Sequence, residues 1–511
     1  VTVGSADTNY AALFNGGNVG IGTSSPSSYD AEADDLVVGT GSGHNGITIL
    51  AGTGSKSKIH FADGTSSAAY EGMVHYNHSD NTLNLAIAGN DRFRLDANSR
   101  ISLSNNDSGG TGGSDSTSGN TIFGYLAGAA IASGGLDNTI IGHNSGEALT
   151  TGDHNVSIGS QSLKAHTTGS RNIAIGYGSM QGTGGDADDA PASIDNVFIG
   201  YNSGGGDWEN DEDSNYNVGI GSYVMDAAMD AALFNTALGH ASLGSLEEGD
   251  YNVAIGSYAL DGLVDAVGNV AIGHNCITGA VTTNYSTAIG YEALRDVTGG
   301  EHNIAVGLQA LQVQTTGCCN IAIGNYSLDA ANHADCDSNV AVGVSALGAL
   351  TNGAKNIAMG HDAALLLATG DNNIAIGHGS LDAADGSEND NIAIGYDAMG
   401  NANDDAVQHN VVIGNYAGDA FGTTNVEGTT LLGYQAGSAI NHADGGYQVL
   451  IGYQAGTALT SGQGNVAVGH QSLDAATDSD GNTAVGHQAL TAMTGSSGEV
   501  GNTAVGHKAS V

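Results

Sequence analysis

Residues 252–285 contain the pattern that decides the fold. The stretch Asn252–Gly268 reads NVAIGSYALDGLVDAVG, and Asn269–Tyr285 opens on NVAIG again, 17 residues after the first copy. The segment Asn-x-x-Ile/Val-Gly then recurs along the chain from residue 120 to residue 511. Self-similarity at a short, nearly constant period predicts a solenoid, in which each repeat stacks on the one before it.

The repeat begins 22 times when looser copies are counted, and 11 of the 21 spacings are 17 residues. Its first positions are 120, 138, 155, 172, 196, 217, 235, 252, 269, 286, 303, 320, 339, 356, 373, 391, 410, 429, 448, 465, 482 and 502. All of them are Asn except Ser286, Thr429 and Gln448. The spacing varies mainly in the polar stretch that closes each unit, which is typical of outward loops on a constant coil.

Each unit is too short for a helix pair, so we predict two short strands: the Val-Ala-Ile run and a second strand that contains Ala-Leu. In the first strand, we expect the branched residues to fill the coil and the small Ala face to be covered by a second chain. This interpretation predicts a homo-oligomer. With about 4.8 Å per coil, the coils would form a rod of roughly 100 Å.

The recurrent asparagine is expected to stack coil on coil, because its amide completes a turn and bonds its neighbours above and below. The predicted coil-stacking ladder includes Asn155, Asn172, Asn252, Asn269, Asn303, Asn320, Asn373 and Asn465.

The Asn-x-Ala-Ile-Gly unit followed by Ala-Leu resembles the left-handed β-roll repeats in the heads of trimeric autotransporter adhesins. Its longer form, with Tyr-x-Ala-Leu and a Thr-Gly-rich loop, is similar to repeats in phage tail fibres. The resemblance covers residues 120–511. It implies an all-β homotrimer of left-handed β-rolls, with coils of about 17 residues and three rolls side by side.

The N-terminal region carries a second resemblance to phage tail fibres. One block is GGNVGIGTSSPSS at Gly16–Ser28, and the other runs from Ile59 to Asn106. The residues that match the fibre pattern are Gly72, Tyr76, His78, Ser79, Asn81, Arg92, Arg94 and Asp96. The resemblance implies an interwoven trimeric β-fibre. We therefore divide the chain into an N-terminal attachment segment (1–35), a short-strand β-fibre domain (36–119) and a repeat domain of 22 coils (120–511).

The composition limits the partners. The chain has 511 residues, 82 of them glycine, and 53 acidic against 10 basic residues give a formal net charge of −43. Such a charge repels nucleic acid and anionic membranes. The sequence contains no run of 18 apolar residues, so no membrane insertion is expected. We interpret the acidic residues as a solvated surface that holds Ca²⁺ at most loosely; ordered calcium sites are the alternative.

Three further sets of residues are candidates. Cys318, Cys319 and Cys336 occupy nearly the same loop on consecutive coils, so they form either a disulfide or free thiols. Trp208 lies in an acidic insert with Asp207, Glu209 and Asp211, which we interpret as a receptor-contact loop or a tolerated insertion. Histidines such as His470 and His487 follow the repeat glycine; a structural column is favoured over metal ligation, because Tyr and Ser fill the same slot elsewhere.

The sequence shows neither a nucleophile elbow nor a phosphate-binding loop in its proper context, so we expect no enzymatic activity and no cofactor. The leading prediction is a structural fibre of a virion, on its tail or head, that is extracellular and contacts other virion proteins and a host surface glycan or protein. The alternative is the head of a trimeric adhesin on a bacterial cell surface.

Overall fold

The computed structural model describes two compact units of this chain. One consists of Val1–Asn106 and Gly110–Ser116, and the other of Asp107–Gly109 and Thr117–Val511. The residues described are 19–21, 36–38, 47–61, 72–87, 90–95, 101–103, 119–131, 134–183, 192–208, 213–279, 282–422, 425–493, 498–499 and 501–510. Among these residues, no helix has the length and hydropathy that crossing a bilayer requires.

The first unit contains a parallel strand pair and an antiparallel meander. The pair is β1 (Val19–Ile21) with β2 (Leu36–Val38). The meander is a five-stranded sheet in which each strand pairs with the next along the chain. Its strands are β3 (Lys56–Phe61), β4 (Gly72–Asn77), β5 (Thr82–Ile87), β6 (Asn90–Leu95) and β7 (Ile101–Leu103). The predicted interwoven β-fibre involves other chains; within one chain, this region folds as the meander.

The second unit is a parallel β-solenoid of about 21 turns, built from one three-residue strand per coil. The strands of its ladder are β8 (Thr121–Phe123), β9 (Thr139–Ile141), β10 (Val156–Ile158), β11 (Ile173–Ile175), β12 (Val197–Ile199), β13 (Val218–Ile220), β14 (Thr236–Leu238), β15 (Val253–Ile255), β16 (Val270–Ile272), β17 (Thr287–Ile289), β18 (Ile304–Val306), β19 (Ile321–Ile323), β20 (Val340–Val342), β21 (Ile357–Met359), β22 (Ile374–Ile376), β23 (Ile392–Ile394), β24 (Val411–Ile413), β25 (Thr430–Leu432), β26 (Val449–Ile451), β27 (Val466–Val468), β29 (Thr483–Val485) and β31 (Thr503–Val505). A 3₁₀ turn at Ala443–Gly445 and the short pair β28 (Ser479–Asp480) with β30 (Gly498–Glu499) lie outside the ladder.

The register of the ladder follows the repeat residue by residue. Val253 pairs with Val270, Ala254 with Ala271, and Ile255 with Ile272. Every ladder strand starts one residue after a predicted unit start, so the prediction of stacked coils about 17 residues apart is confirmed. The first residue of each strand is Val, Ile or Thr, and these β-branched side chains favour extended backbone.

The prediction of a second strand is wrong. The Ala-Leu segment is a turn, because residues on both sides of the alanine have left-handed backbone: φ is 58° at Tyr258 and 54° at Leu260. The segment still bonds to neighbouring coils, since the Tyr258 N–H donates to the His240 carbonyl at 2.9 Å and the Leu260 N–H to the Cys276 carbonyl at 3.0 Å. The left-handed residues bend the chain tightly enough to close a short coil.

The prediction of which strand face fills the coil is also wrong, because the two faces are exchanged. The central alanines of the strands, such as Ala254 and Ala271, are buried inside the coil with the leucines of the turn, while the branched residues point outward. Successive coils stack closely: the repeat glycine at Gly256 has φ of 140°, and a Cβ there would lie 2.2 Å from the Gly273 carbonyl oxygen of the next coil. Most coils combine an inward Ala with the turn leucine, whereas Ile140 and Phe198 point inward in coils where Gly146 and Gly204 replace that leucine.

Candidate functional site

The outer face of the ladder is a surface that repeats on every ladder strand. The third residue of every ladder strand, from Phe123 to Val505, is apolar and lies at least partly in solvent. Ile323 and Leu432, for example, are 41% and 44% exposed. Because the ladder is in register, these side chains form an apolar column along the solenoid, beside a column of β-branched first residues. Apolar surface repeated on this scale is typical of an interface.

The first unit has an apolar face as well. In β5, Leu85 and Ile87 are 45% and 61% exposed, while the alternating residues Thr82 and Asn84 are buried. Leu85 pairs with Val74 on one side and with Phe93 on the other, so apolar residues of neighbouring strands share this face. In a soluble two-sided sheet, the apolar residues are normally the covered ones. The reversed pattern indicates that this face also needs a partner surface.

Aromatic rings form a second outer column. Each ring belongs to the first or the second residue after the repeat glycine. One run consists of Tyr177, Tyr201, Tyr223, His240, Tyr258, His274 and Tyr291; another of His361, His378, Tyr396, Tyr416, Tyr434, Tyr453, His470, His487 and His507. His470 and His487 are stacked with ring centroids 4.9 Å apart. In the stacked pairs the rings cover each other's faces, so their edges are left for solvent.

The asparagines at the unit starts form a buried hydrogen-bonded ladder. The Asn252 backbone N–H and Nδ2 donate to Asn235 Oδ1 at 2.9 and 3.1 Å, and Asn252 Nδ2 also donates to the Ala266 carbonyl at 2.7 Å. Each side chain thus ties the start of a strand both to the previous coil and to the loop that closes its own coil. The same backbone bond to the preceding unit is made by Asn155, Asn172, Asn269, Asn303, Asn320, Asn373 and Asn465.

Two of the non-asparagine units keep the ladder by different means. Gln448 Oε1 accepts from the Asn465 N–H at 3.1 Å, and Gln448 Nε2 donates to the Gly462 carbonyl, so glutamine replaces both functions. At Ser286 the hydroxyl accepts from the Asn303 N–H at 3.2 Å. The ladder is a packing device of the solenoid rather than a binding site.

The acidic insert does not expose its tryptophan. Trp208 is 1% exposed and packs edge-on against Phe198, with ring centroids 5.8 Å apart. The Trp208 side chain is therefore not available to a receptor, because its large apolar ring fills the coil where the insert begins; the role of the insert stays a prediction. Asp207 is exposed, and its backbone forms an isolated parallel β-bridge with Gly182. Glu209 and Asp211 lie outside the described residues.

All four cysteines lie in described parts of the chain, and each is a free thiol. The Cys319 thiol contacts Cys318 Sγ at 3.2 Å on the outside of the coil, whereas Cys336 is buried beside Asn339. The contact with Cys319 raises the pKa of the Cys318 thiol to about 12, and burial does the same for Cys336. The structure therefore contains the free thiols rather than the disulfide, with little thiolate at neutral pH.

Carboxylates at the residue after the turn leucine, or after Met225 in the same position, form a half-buried column that sequence reasoning missed. Burial raises the pKa of the carboxyl at Asp226, Asp261, Asp329, Asp382 and Asp474 above its ordinary value. Only the repeated position of these residues distinguishes them in the sequence from the many exposed aspartates: they follow the Ala/Ser-Leu pair, or Val224-Met225 in the case of Asp226.

A buried histidine lies inside the coil. His166 is fully buried, where Asn172 Nδ2 donates to its Nε2 at 3.2 Å and its Nδ1 lies 3.1 Å from Thr183 Oγ1. Burial lowers the pKa of His166 to about 4, so the ring is neutral at pH 7.

Comparison with known proteins finds no matching family model, no matching curated protein and no matching solved structure.

Proposed function

We propose that this chain is a structural fibre protein of a virion and that it works as a homotrimer. The observation that supports this most directly is the uninterrupted apolar column on the outer face of the ladder. A partner that covers this column must present a complementary surface of the same length. A second copy of the chain has such a surface in the same register.

The energetic argument favours association through this face. Moving one Ile or Val from two-fifths exposed to buried contributes roughly 1 kcal/mol, and the column repeats on every coil. The contribution of each residue is small, but their sum is large enough to offset the entropy lost on association. The number of chains comes from the resemblance to phage tail-fibre and autotransporter head repeats, which implies three.

The N-terminal blocks favour a virion fibre within this class. The fibre-like sequence between Ile59 and Asn106 coincides with the β3–β7 meander, whose apolar face also lacks a cover in the single chain. In a trimer, the other two chains would cover both the apolar face of the sheet and the apolar column of the solenoid. In this role the protein is extracellular, contacts other virion proteins, and reaches the host surface through its inserts.

The oligomeric state is the first test. Light scattering of the intact protein should give about three times 50.7 kDa, and a mass near 50.7 kDa would disprove the trimer. The triple variant Ile255→Glu/Ile289→Glu/Ile323→Glu places charges in the apolar column and should shift the mass toward the monomer. Its matched control, Thr282→Glu/Thr298→Glu/Thr316→Glu, adds the same charge on exposed loops and should remain trimeric.

The bacterial adhesin head is the second candidate, because the Asn-x-Ala-Ile-Gly coil itself resembles adhesin heads. It shares the trimer and the absence of catalysis with the first proposal, but it places the protein on a bacterial cell surface. The genes that flank this one discriminate the two: capsid and tail genes support the virion fibre, and an export and anchoring system supports the adhesin. Hydrolysis of a bacterial polysaccharide by the purified protein would contradict both proposals.

A further inference from the structure

His361 and His378 occupy the same slot on consecutive coils, directly after the repeat glycine. Their rings are nearly parallel, with an interplanar angle of 8° and centroids 5.2 Å apart. The Gly379 N–H donates to the His361 carbonyl at 3.1 Å, which fixes the two backbones relative to each other. The pair is therefore held in place by the ladder and not by the side chains alone.

A carboxylate lies beside this pair. Asp362 Oδ2 is 2.8 Å from His361 Nδ1. Nitrogen and oxygen atoms of His361, Asp362 and His378 all lie within 4.8 Å of one another, the one such group of three among the residues that the structure describes. Two imidazoles and one carboxylate are a common ligand set for Zn²⁺ and related dications.

The surroundings add negative charge. Asp382 and Asp397 flank the next position, Gly379, where a Cβ would lie 2.5 Å from Asp397 Oδ1 and 3.4 Å from Asp382 Oδ2. Among the described residues, no Lys or Arg forms an ion pair with Asp362, Asp382 or Asp397. The field at the histidine pair therefore favours a cation.

The same fold provides an internal comparison. His470 and His487 are stacked in the same slot, with centroids 4.9 Å apart. The residues that follow them are Gln471 and Gln488, and Gln488 Nε2 donates to Gln471 Oε1 at 3.0 Å. The amides there bond to each other, and the residue directly after each histidine is Gln rather than a carboxylate. Stacked histidines are thus a general feature of the column, and the carboxylate at Asp362 is what distinguishes the first pair.

We propose that His361, Asp362 and His378 bind a single transition-metal dication, of which Zn²⁺ is the probe. Bonds of about 2.0–2.2 Å require the ligand atoms to approach one another by roughly 1 Å, which side-chain rotation supplies because both imidazoles are exposed. Three protein ligands leave one position of the tetrahedral ion for water or for a donor from another molecule. This proposal is independent of the virion assignment.

The test is Zn²⁺ titration by calorimetry of the full-length protein, with CaCl₂ in large excess to saturate the scattered carboxylates. The wild-type protein should bind one Zn²⁺ per chain that Ca²⁺ does not displace, and Co²⁺ at the same site should show the visible absorption of nitrogen–oxygen coordination. His378→Tyr, which copies Tyr396 on the next coil, and Asp362→Gln, which copies Gln471, should each weaken Zn²⁺ binding at least about tenfold.

His487→Tyr is the matched control and should bind Zn²⁺ as the wild type does, with all three variants retaining the buried-tryptophan fluorescence of Trp208. The proposal is overturned if the wild type shows no Ca²⁺-resistant site. It is equally overturned if Asp362→Gln and His378→Tyr bind as tightly as the wild type, or if His487→Tyr loses as much affinity as they do.

Discussion

The antiparallel sheet β3–β7 and the parallel ladder place their polar residues differently. Inside the ladder, most coils bury Ala, Leu and one Asn, and the asparagines bond from coil to coil. In β5 of the sheet, Thr82 and Asn84 are buried while Leu85 and Ile87 are exposed. The ladder satisfies its interior within one chain. The sheet has an interior only if its apolar face is covered by another surface.

The hydrogen bonds of Asn252 in the ladder and Asn84 in the sheet illustrate this difference. Asn252 bonds to the coil before it, to the coil after it and to its own closing loop. Asn84 Nδ2 donates only within its own strand, to the Thr82 carbonyl and hydroxyl. A buried amide that joins separate segments stabilises long-range structure, whereas one that bonds two residues away does not.

The comparison also extends to charge. Half of the 10 basic residues lie in the region of the sheet: Lys56, Lys58, Arg92, Arg94 and Arg100. The solenoid therefore carries nearly all of the acidic excess.

Because the chain has a single tryptophan, Trp208, and it is buried in the solenoid, its fluorescence reports the unfolding of that unit alone.

The largest expected effect is the loss of one ladder amide. Asn252→Ala removes the acceptor of the buried Asn269 N–H and the donor to the Ala266 carbonyl. We expect a cost of about 3–5 kcal/mol, since each unpaired buried group costs about 1–3 kcal/mol. Asn84→Ala should cost less than about 1 kcal/mol, because its bonds are local. Urea unfolding followed by Trp208 fluorescence and by circular dichroism measures the two.

Asn441→Ala is the control for the ladder amide, because its side chain is exposed and its backbone N–H still bonds to the Thr460 carbonyl. A midpoint for Asn252→Ala equal to that of this control would show that the asparagine ladder does not hold the coils together. A large loss in Asn84→Ala would remove the contrast between the two units.

The second effect depends on pH and concerns the buried histidine of each unit. Burial lowers the pKa of His166 from 6.5 to about 4, so the unfolded chain takes up the proton first as the pH falls. Stability should fall between about pH 6.5 and pH 4, by about 3 kcal/mol at the lower end. In the sheet, burial also lowers the pKa of His75, but Asp91 opposes the shift from 3.5 Å.

His166→Leu isolates this effect, since Leu263 occupies the equivalent position of another coil. The difference between wild type and His166→Leu in the Trp208 transition should change across this pH range and be constant above pH 7. His75→Gln should leave the pH dependence of that transition as it is in the wild type. Identical pH profiles for wild type and His166→Leu would contradict the buried, neutral histidine.

The period, the number of coils and the register were predictable because Asn, the strand and Gly256-type glycines recur in the printed sequence. Which face of the strand points into the coil was not predictable. Ala and Ile alternate on opposite faces in either orientation, and only the packing of Ala254 with the turn leucine Leu260 inside the coil decides that the alanine points inward. A two-residue period cannot supply that information.

The turn at Ala-Leu was missed for a related reason. Tyr258 favours extended backbone and Leu260 favours the right-handed helical region by propensity, and coil closure forces both into the left-handed region instead. Similarly, the exposed aromatic, acidic character of the insert at Trp208 suggested a contact loop, whereas the ring packs on Phe198 from within. His361 and His378 were visible as one column, but the carboxylate of Asp362 gains meaning only once the coils are stacked.

The smallest expected effect concerns the free-energy cost of the half-buried carboxylates in the solenoid. Burial raises the pKa of the Asp329 carboxyl, so its ionised form costs free energy in the folded state; this cost is present above the raised pKa and fades as the pH falls through it. Asp329→Asn should therefore stabilise the solenoid at pH 7 by less than about 1 kcal/mol, because the carboxyl is half-exposed and screened, and should gain nothing near pH 3. Asp265→Asn removes the same charge from an exposed position and is the control. Equal gains in both variants would mean that the net charge of −43, rather than burial, is what the Trp208 transition senses.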